Sequence, residues 1–267
     1  MKYYMITNTG TLKASKYAQA YPFHMVLAQV LRADPDYYLV VKEMVRKGAQ
    51  VILDNGAHEG HNCTLSQYLD LVMDLKPWCV VLPDLIGVSA IESRARAAIF
   101  YRMLVTQLQH NPFKEPLHII YVPQGRTPLE IVDDYLWLGT YGRDWDAAAH
   151  PIVMGLGDSY KACITRFGLV GCSAEASRTR LLKLMLEEDT VPPPNIHILG
   201  GRDNATPYFS TLPNVFGIDS VDPCRNALTA MGHVESLFSL VSTPVASDAL
   251  LEAAVETFAF NYGAELV

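Results

Sequence analysis

The sequence predicts an α/β protein of the (β/α)8 TIM-barrel class, a single domain over residues 1–267, on three observations. Short Val- and Ile-rich runs recur along the chain, longer segments with helical spacing separate them, and helix-capping signatures follow several of the runs. Runs this apolar suit a parallel sheet with helices covering it. About 33 residues per strand–helix unit allows eight units, and roughly 250 residues is typical of the barrel. A doubly wound open sheet is the structural alternative.

The strand candidates are residues Tyr3 to Thr7, Gln50 to Leu53, Trp78 to Leu82, His118 to Val122, Pro151 to Met154, Asn195 to Leu199 and Val215 to Ile218, with a weaker eighth at Leu237 to Val241. Thr64-x-x-Gln67 follows the second run and Ser89-x-x-Glu92 the third; Thr127-Pro128-x-Glu130 follows the fourth, with proline at the first helical position. In each, a hydroxyl can accept from the backbone N–H three residues on, which places a helix start there. Ala246 to Phe260 reads as a closing helix. No low-complexity linker divides the chain.

Half the residues are apolar and 18% are charged, which excludes a disordered chain. The balance of 21 basic against 28 acidic residues gives a net charge of −7, so a nucleic-acid partner needs a local basic patch. Cys63, Cys79, Cys163, Cys172 and Cys224 are odd in number and lack metal-ligand spacing. A reducing, cytoplasmic location is expected, with no secretory leader and no membrane span. His58-Glu59-x-His61 lacks a third ligand at recognisable spacing, so neither a metal nor a cofactor is expected.

The chemistry concentrates where strand candidates end. Val51-Ile52-Leu53 runs into Asp54-Asn55-Gly56, Leu82 into Pro83-Asp84, Val122 into Pro123-Gln124-Gly125, and Met154 into Gly155-Leu156-Gly157. Leu199 leads into Gly200-Gly201, and Gly217-Ile218 into Asp219-Ser220. In a barrel these ends share one mouth, where active sites of this fold are built. Carboxylates gathered there should spread their proton affinities apart, which separates acid/base from nucleophilic roles. Taken singly, each piece has a plainer reading. Asp54-Asn55-Gly56 suits a turn, His197 suits a core histidine, and Arg94, Arg96 and Arg102 suit a solvated helix face.

In this order the motifs resemble the tRNA-guanine transglycosylase (queuine tRNA-ribosyltransferase-like) superfamily, particularly its short phage-type members that put 7-deazaguanine bases into DNA. Ile52-Leu53-Asp54-Asn55-Gly56-Ala57 is similar to the family's Asp-Ser-Gly-Gly segment, and Leu82-Pro83-Asp84 to the segment with the base-recognising aspartate. Val122-Pro123-Gln124-Gly125 resembles its Val-Gln-Gly motif, and Gly155-Leu156-Gly157 the loop whose backbone meets the heterocycle. His197-Ile198-Leu199-Gly200 resembles a pocket-lining strand, and Gly217-Ile218-Asp219-Ser220-Val221-Asp222 the stretch with the nucleophile. The last match has two registers, Asp219 or Asp222; Asp219, directly at the strand end, is preferred. The family's zinc motif and its insertion are absent from the sequence, which favours the reduced phage-type form.

The resemblance implies a base-exchange glycosyltransferase that replaces guanine in DNA with a preQ0-like 7-deazaguanine through an aspartyl–sugar intermediate. Asp219 would be the nucleophile and Asp54 the acid/base, with Asn55 orienting it. Asp84 would read guanine-type N–H groups, Gln124 and Gly155 the carbonyl side, and Leu199 or Met154 would cover the ring. Gly125, Leu156, Gly157, His197 and Asp222 complete the expected substrate contacts. Arg126, Arg202 and Arg225 would meet phosphates, and a second copy or a partner subunit is expected to help hold the polymer. DNA is preferred to tRNA as substrate. The alternatives are a tRNA-acting transglycosylase, a barrel lyase or isomerase on a small phosphorylated metabolite, and a non-catalytic nucleobase-binding subunit.

Overall fold

The structure, a computed structural model, describes residues 2–57, 63–127, 129–137, 152–156, 195–199, 215–220, 222–231 and 245–262. The chain opens with β1 (Lys2–Met5), α1 (Thr9–Ala14), α2 (Lys16–Ala20), β2 (Phe23–Leu27), α3 (Ala28–Ala33) and α4 (Pro35–Arg46). It continues with β3 (Gln50–Asp54), α5 (Leu65–Leu75), β4 (Cys79–Val81), α6 (Ala90–His110) and β5 (His118–Tyr121), followed by helical residues 129–137. Then come β6 (Ile152–Leu156), β7 (Ile196–Ile198), β8 (Val215–Ser220), α7 (Asp222–Ala230) and α8 (Asp248–Tyr262).

Each strand pairs in parallel with the next, and β8 pairs with β1, so the sheet closes into a barrel. Closure leaves no open edge among these strands, unlike the doubly wound alternative. Seven of the predicted runs are strands. The prediction missed Phe23–Leu27, which is β2 and pairs with β3 over five residues. Its five residues are all buried, so it carries no polar alternation, and it passes into α3 with no intervening breaker. Residues 237–241 lie outside the described residues; the ring closes by β8 on β1.

The capping signatures act as read. The hydroxyls of Thr64 and Ser89 each accept from the N–H three residues on, and Gln67 and Glu92 reach back to the cap N–H. Thr127 Oγ1 accepts from Glu130 N at 3.2 Å, whereas the Glu130 carboxylate turns to Arg126 N at 2.7 Å. Pro128 lies outside the described residues.

Strand parity sorts barrel interior from exterior. Tyr4 faces inward, with its ring edge-on to His197 at 5.3 Å and stacked near Trp78 at 5.9 Å. Tyr3 faces the outer helices, its ring 4.8 Å from Phe258 of α8. Tyr4 is in register with Asp219, and His197 with both Gly155 and Gly217, so these positions share the inward face in two successive rows. Between β4 and α5 the Tyr68 hydroxyl lies 2.8 Å from the carbonyls of both Leu53 and Val81, tying a helix to two strand ends. Among the described residues no helix is long and apolar enough to cross a membrane.

Candidate functional site

Two buried polar centres stand at the C-terminal end of the barrel. Asp219, the next-to-last residue of β8, points inward, and its Oδ1 lies 2.9 Å from His197 Nε2 on β7. Both side chains are almost wholly buried. The space for the imidazole comes from Gly217: a Cβ there would stand 2.7 Å from His197 Nδ1 and 3.0 Å from Tyr4 Cε2. His197 is thus a fully buried histidine hydrogen-bonded to a carboxylate, as the core-histidine reading has it.

Asp222 occupies a different setting. It is the first residue of α7, and its carboxylate accepts from Arg225 at 2.7 Å while its N–H donates to Ser220 Oγ at 3.1 Å. An acidic residue at a helix N-terminus with an arginine one turn on is a helix-start arrangement. Arg225 is thus drawn to Asp222, and Arg126 lies 3.6 Å from Glu92, so both candidate phosphate-binding cations share their charge with a carboxylate.

The second centre joins the segments after β3, β4 and β5. Asn55 Nδ2 donates to Leu82 O at 3.1 Å and to Asp84 Oδ1 at 2.8 Å, and Asn55 Oδ1 accepts from Ala57 N at 2.9 Å. Gln124 Nε2 donates to the other Asp84 oxygen at 2.5 Å. Asn55 thus orients Asp84, its bonds running there. Burial raises the pKa of Asp84, and the two amides and the charge of Arg96 offset part of that rise. Asp54, the last residue of β3, is half-buried at the same end; after burial itself, its charge is the largest influence opposing ionisation of Tyr68.

Sequence reasoning missed what lies behind Gln124. Asp134, within helical residues 129–137, is fully buried and accepts from Gln124 N at 3.0 Å. The Tyr121 hydroxyl lies 2.7 and 2.9 Å from its two oxygens, and Arg94 reaches it at 2.8 Å. Burial raises the Asp134 pKa against these donors. The guanidinium of Arg94 also lies over the Trp137 ring at 4.3 Å. The solvated-face reading therefore fails for Arg94, and for Arg96, which is half-buried and donates to Cys63 O at 3.4 Å; Arg102 is exposed as expected. An acidic residue on a predominantly apolar helix face, Ile131, Val132, Asp134 and Tyr135 all being buried, was the available signal.

The remaining predicted positions divide. Gly155 sits in the His197 row, whereas Met154 and Leu156 are in register with Ile196 and Ile198 and so have the opposite parity. Leu199 follows β7 and packs half-buried against the core, and Gly125 is buried with Glu130 against its Cα. Gly157, Arg202, His58 and His61 lie outside the described residues. Among the described residues no group of three or more His, Cys, Asp or Glu is placed to hold a metal.

Fold and site together define a parallel (β/α) barrel whose strand ends carry two buried carboxylate centres, one with a histidine and one with two amides. No protein-family model matches the sequence, and no curated protein matches it.

Proposed function

We propose that the protein is a base-exchange glycosyltransferase that replaces guanine in DNA with a 7-deazaguanine base. The observation that carries this reading is the inward carboxylate of Asp219, held by His197 on the strand ends where Asp54 and the Asp84 centre also stand. Breaking an N-glycosidic bond without losing the sugar to water calls for a carboxylate at the anomeric carbon and a separate proton donor for the departing base.

Asp219 attacks C1′ through a carboxylate oxygen, forming the C1′–O bond as the bond to guanine breaks. The electron pair leaves on the guanine ring nitrogen, which takes a proton from Asp54. The incoming base gives its ring N–H proton to Asp54 and attacks C1′, and the ester electrons return to Asp219. The transition state is oxocarbenium-like, so the carboxylate also stabilises charge. Asp84 accepts from the amino and ring N–H groups of the base, and the Gly155 main chain stands on the His197 row for the carbonyl side. The target nucleotide must be flipped or single-stranded to enter. Arg126 and Arg225 stand toward the polymer, and a partner subunit or second copy supplies further cations to a chain of net charge −7. Such a reaction belongs in the cytoplasm of the cell that holds the DNA.

Incubation with labelled 7-deazaguanine base and guanine-containing DNA, with tRNA in parallel, tests the reading. Label is expected in DNA; label in tRNA alone moves the substrate to tRNA, and label in neither polymer rejects transglycosylation. A covalent protein–DNA adduct should form with wild type and with Asp222→Asn, but not with Asp219→Asn.

A further inference from the structure

The Asp84 centre leaves one atom unaccounted for. Gln124 is 2% exposed, its Nε2 is committed to Asp84, and its Oε1 is buried with no hydrogen-bond partner among the described residues. A buried acceptor left unmade costs about 1–3 kcal/mol, so such atoms in native sites call for an explanation. The orientation of the amide is set from outside. Asn55 is fixed at both ends, by Leu82 O and by Ala57 N, and therefore presents Asp84 with a donor at Oδ1. Asp134 holds the main chain of Gln124, which brings its side chain to Oδ2. An ionised carboxylate accepts only donors, so the amide nitrogen is the end that faces it, and the oxygen faces away.

Both partners follow the C-terminal ends of β4 and β5, at the barrel mouth taken above as the base site. We propose that Gln124 acts toward the ligand as an acceptor, and that with Asp84 it selects a heterocycle carrying an exocyclic amino group beside a ring N–H. The ring N–H and one amino hydrogen meet Asp84, and the second amino hydrogen meets Gln124 Oε1. Gln124 then does not read the carbonyl, which falls to main-chain donors. The assignment rests on the transglycosylase reading only in taking this mouth as the ligand site.

Calorimetric titration of guanine, hypoxanthine, 2-aminopurine, 2-aminobenzimidazole and benzimidazole into wild type and Gln124→Leu tests it. Hypoxanthine lacks the amino group, 2-aminopurine lacks the carbonyl and with it the N1–H, and 2-aminobenzimidazole carries the amino and ring N–H pair without being a purine. In wild type, removing the amino group takes away one bond to Asp84 and one to Gln124 Oε1 and is expected to weaken binding at least about 10-fold in either pair. In Gln124→Leu the guanine-to-hypoxanthine ratio should fall about 5- to 10-fold from its wild-type value, the preference that remains coming from the amino bond to Asp84, and an unchanged ratio would overturn the assignment. The wild-type comparison stands alone if the variant fails to fold. A larger collapse of the guanine-to-2-aminopurine ratio than of the guanine-to-hypoxanthine ratio would make Gln124 a carbonyl donor and overturn the assignment. So would binding of neither guanine nor 2-aminobenzimidazole. Binding of 2-aminobenzimidazole that depends on Gln124, without binding of guanine, would uphold the acceptor role and remove the transglycosylase reading.

Discussion

His197 Nε2 and Asp219 Oδ1 lie 2.9 Å apart inside the barrel, and the missing side chain of Gly217 is what lets them meet. His197 and Gly217 are register partners on adjacent strands, so a methyl group at 217 enters the space of the imidazole. Gly217→Ala is expected to cost about 1–3 kcal/mol, the range for overpacking a filled interior. Urea unfolding checks this; a loss under about 0.5 kcal/mol would show the ring to be freely displaceable.

Asp134 serves three donors from different segments: Arg94 of α6, the Tyr121 hydroxyl of β5 and Gln124 N. Truncation in Asp134→Ala leaves a half-buried guanidinium, a buried hydroxyl and a buried N–H without their acceptor. The expected loss is about 3–5 kcal/mol, as for one partner removed from a buried pair. Thermal and denaturant unfolding measure it, and a loss of under about 1 kcal/mol would mean that water replaces the carboxylate.

The direction of the Asp84 shift fixes a pH dependence. Burial raises its pKa above 3.8, so the carboxyl gains its proton at a higher pH than an exposed aspartate does. The protonated form offers the ligand fewer acceptors. Ligand affinity at this centre should therefore fall as pH is lowered, with an inflection above the ordinary aspartate value. Affinity that stays flat on acidification would separate Asp84 from recognition.

His24 makes a prediction about the fold itself. It is wholly buried on the outer parity of β2, its Nε2 lies 2.7 Å from Tyr21 O, and burial pushes its pKa from 6.5 down to about 4. The unfolded chain takes up a proton more readily, so the stability from a neutral His24 is complete above pH 6.5 and is lost as pH falls toward 4. The drop is on the order of 3 kcal/mol across that window. His24→Gln should flatten this part of the stability–pH curve; an unchanged slope would assign the acid sensitivity to other groups.

Legibility in the sequence followed the range of the interaction. The helix starts at Thr64 and Ser89 could be read because a cap needs only a side chain and a backbone group three residues away. The polar residues at strand ends could be read as one mouth because parallel strands carry all their C-terminal ends to the same side. Strand β2 escaped notice because it is buried throughout and has no breaker before α3, which removes both period and boundary.

By itself the sequence determined the strand–helix alternation, the capped helix starts and the inventory of acids, amides and glycines at the strand ends. Only the tertiary structure decided which of them meet. Closure of β8 on β1 put Tyr4 beside His197 and Asp219, 22 residues separate that histidine from its aspartate, and 40 separate Gln124 from Asp84 and Arg94 from Asp134. Contacts of that range leave no periodic trace in a chain. They arise because unpaired buried polar groups are costly, so the packed barrel holds each one against a partner that the folding of distant segments delivers.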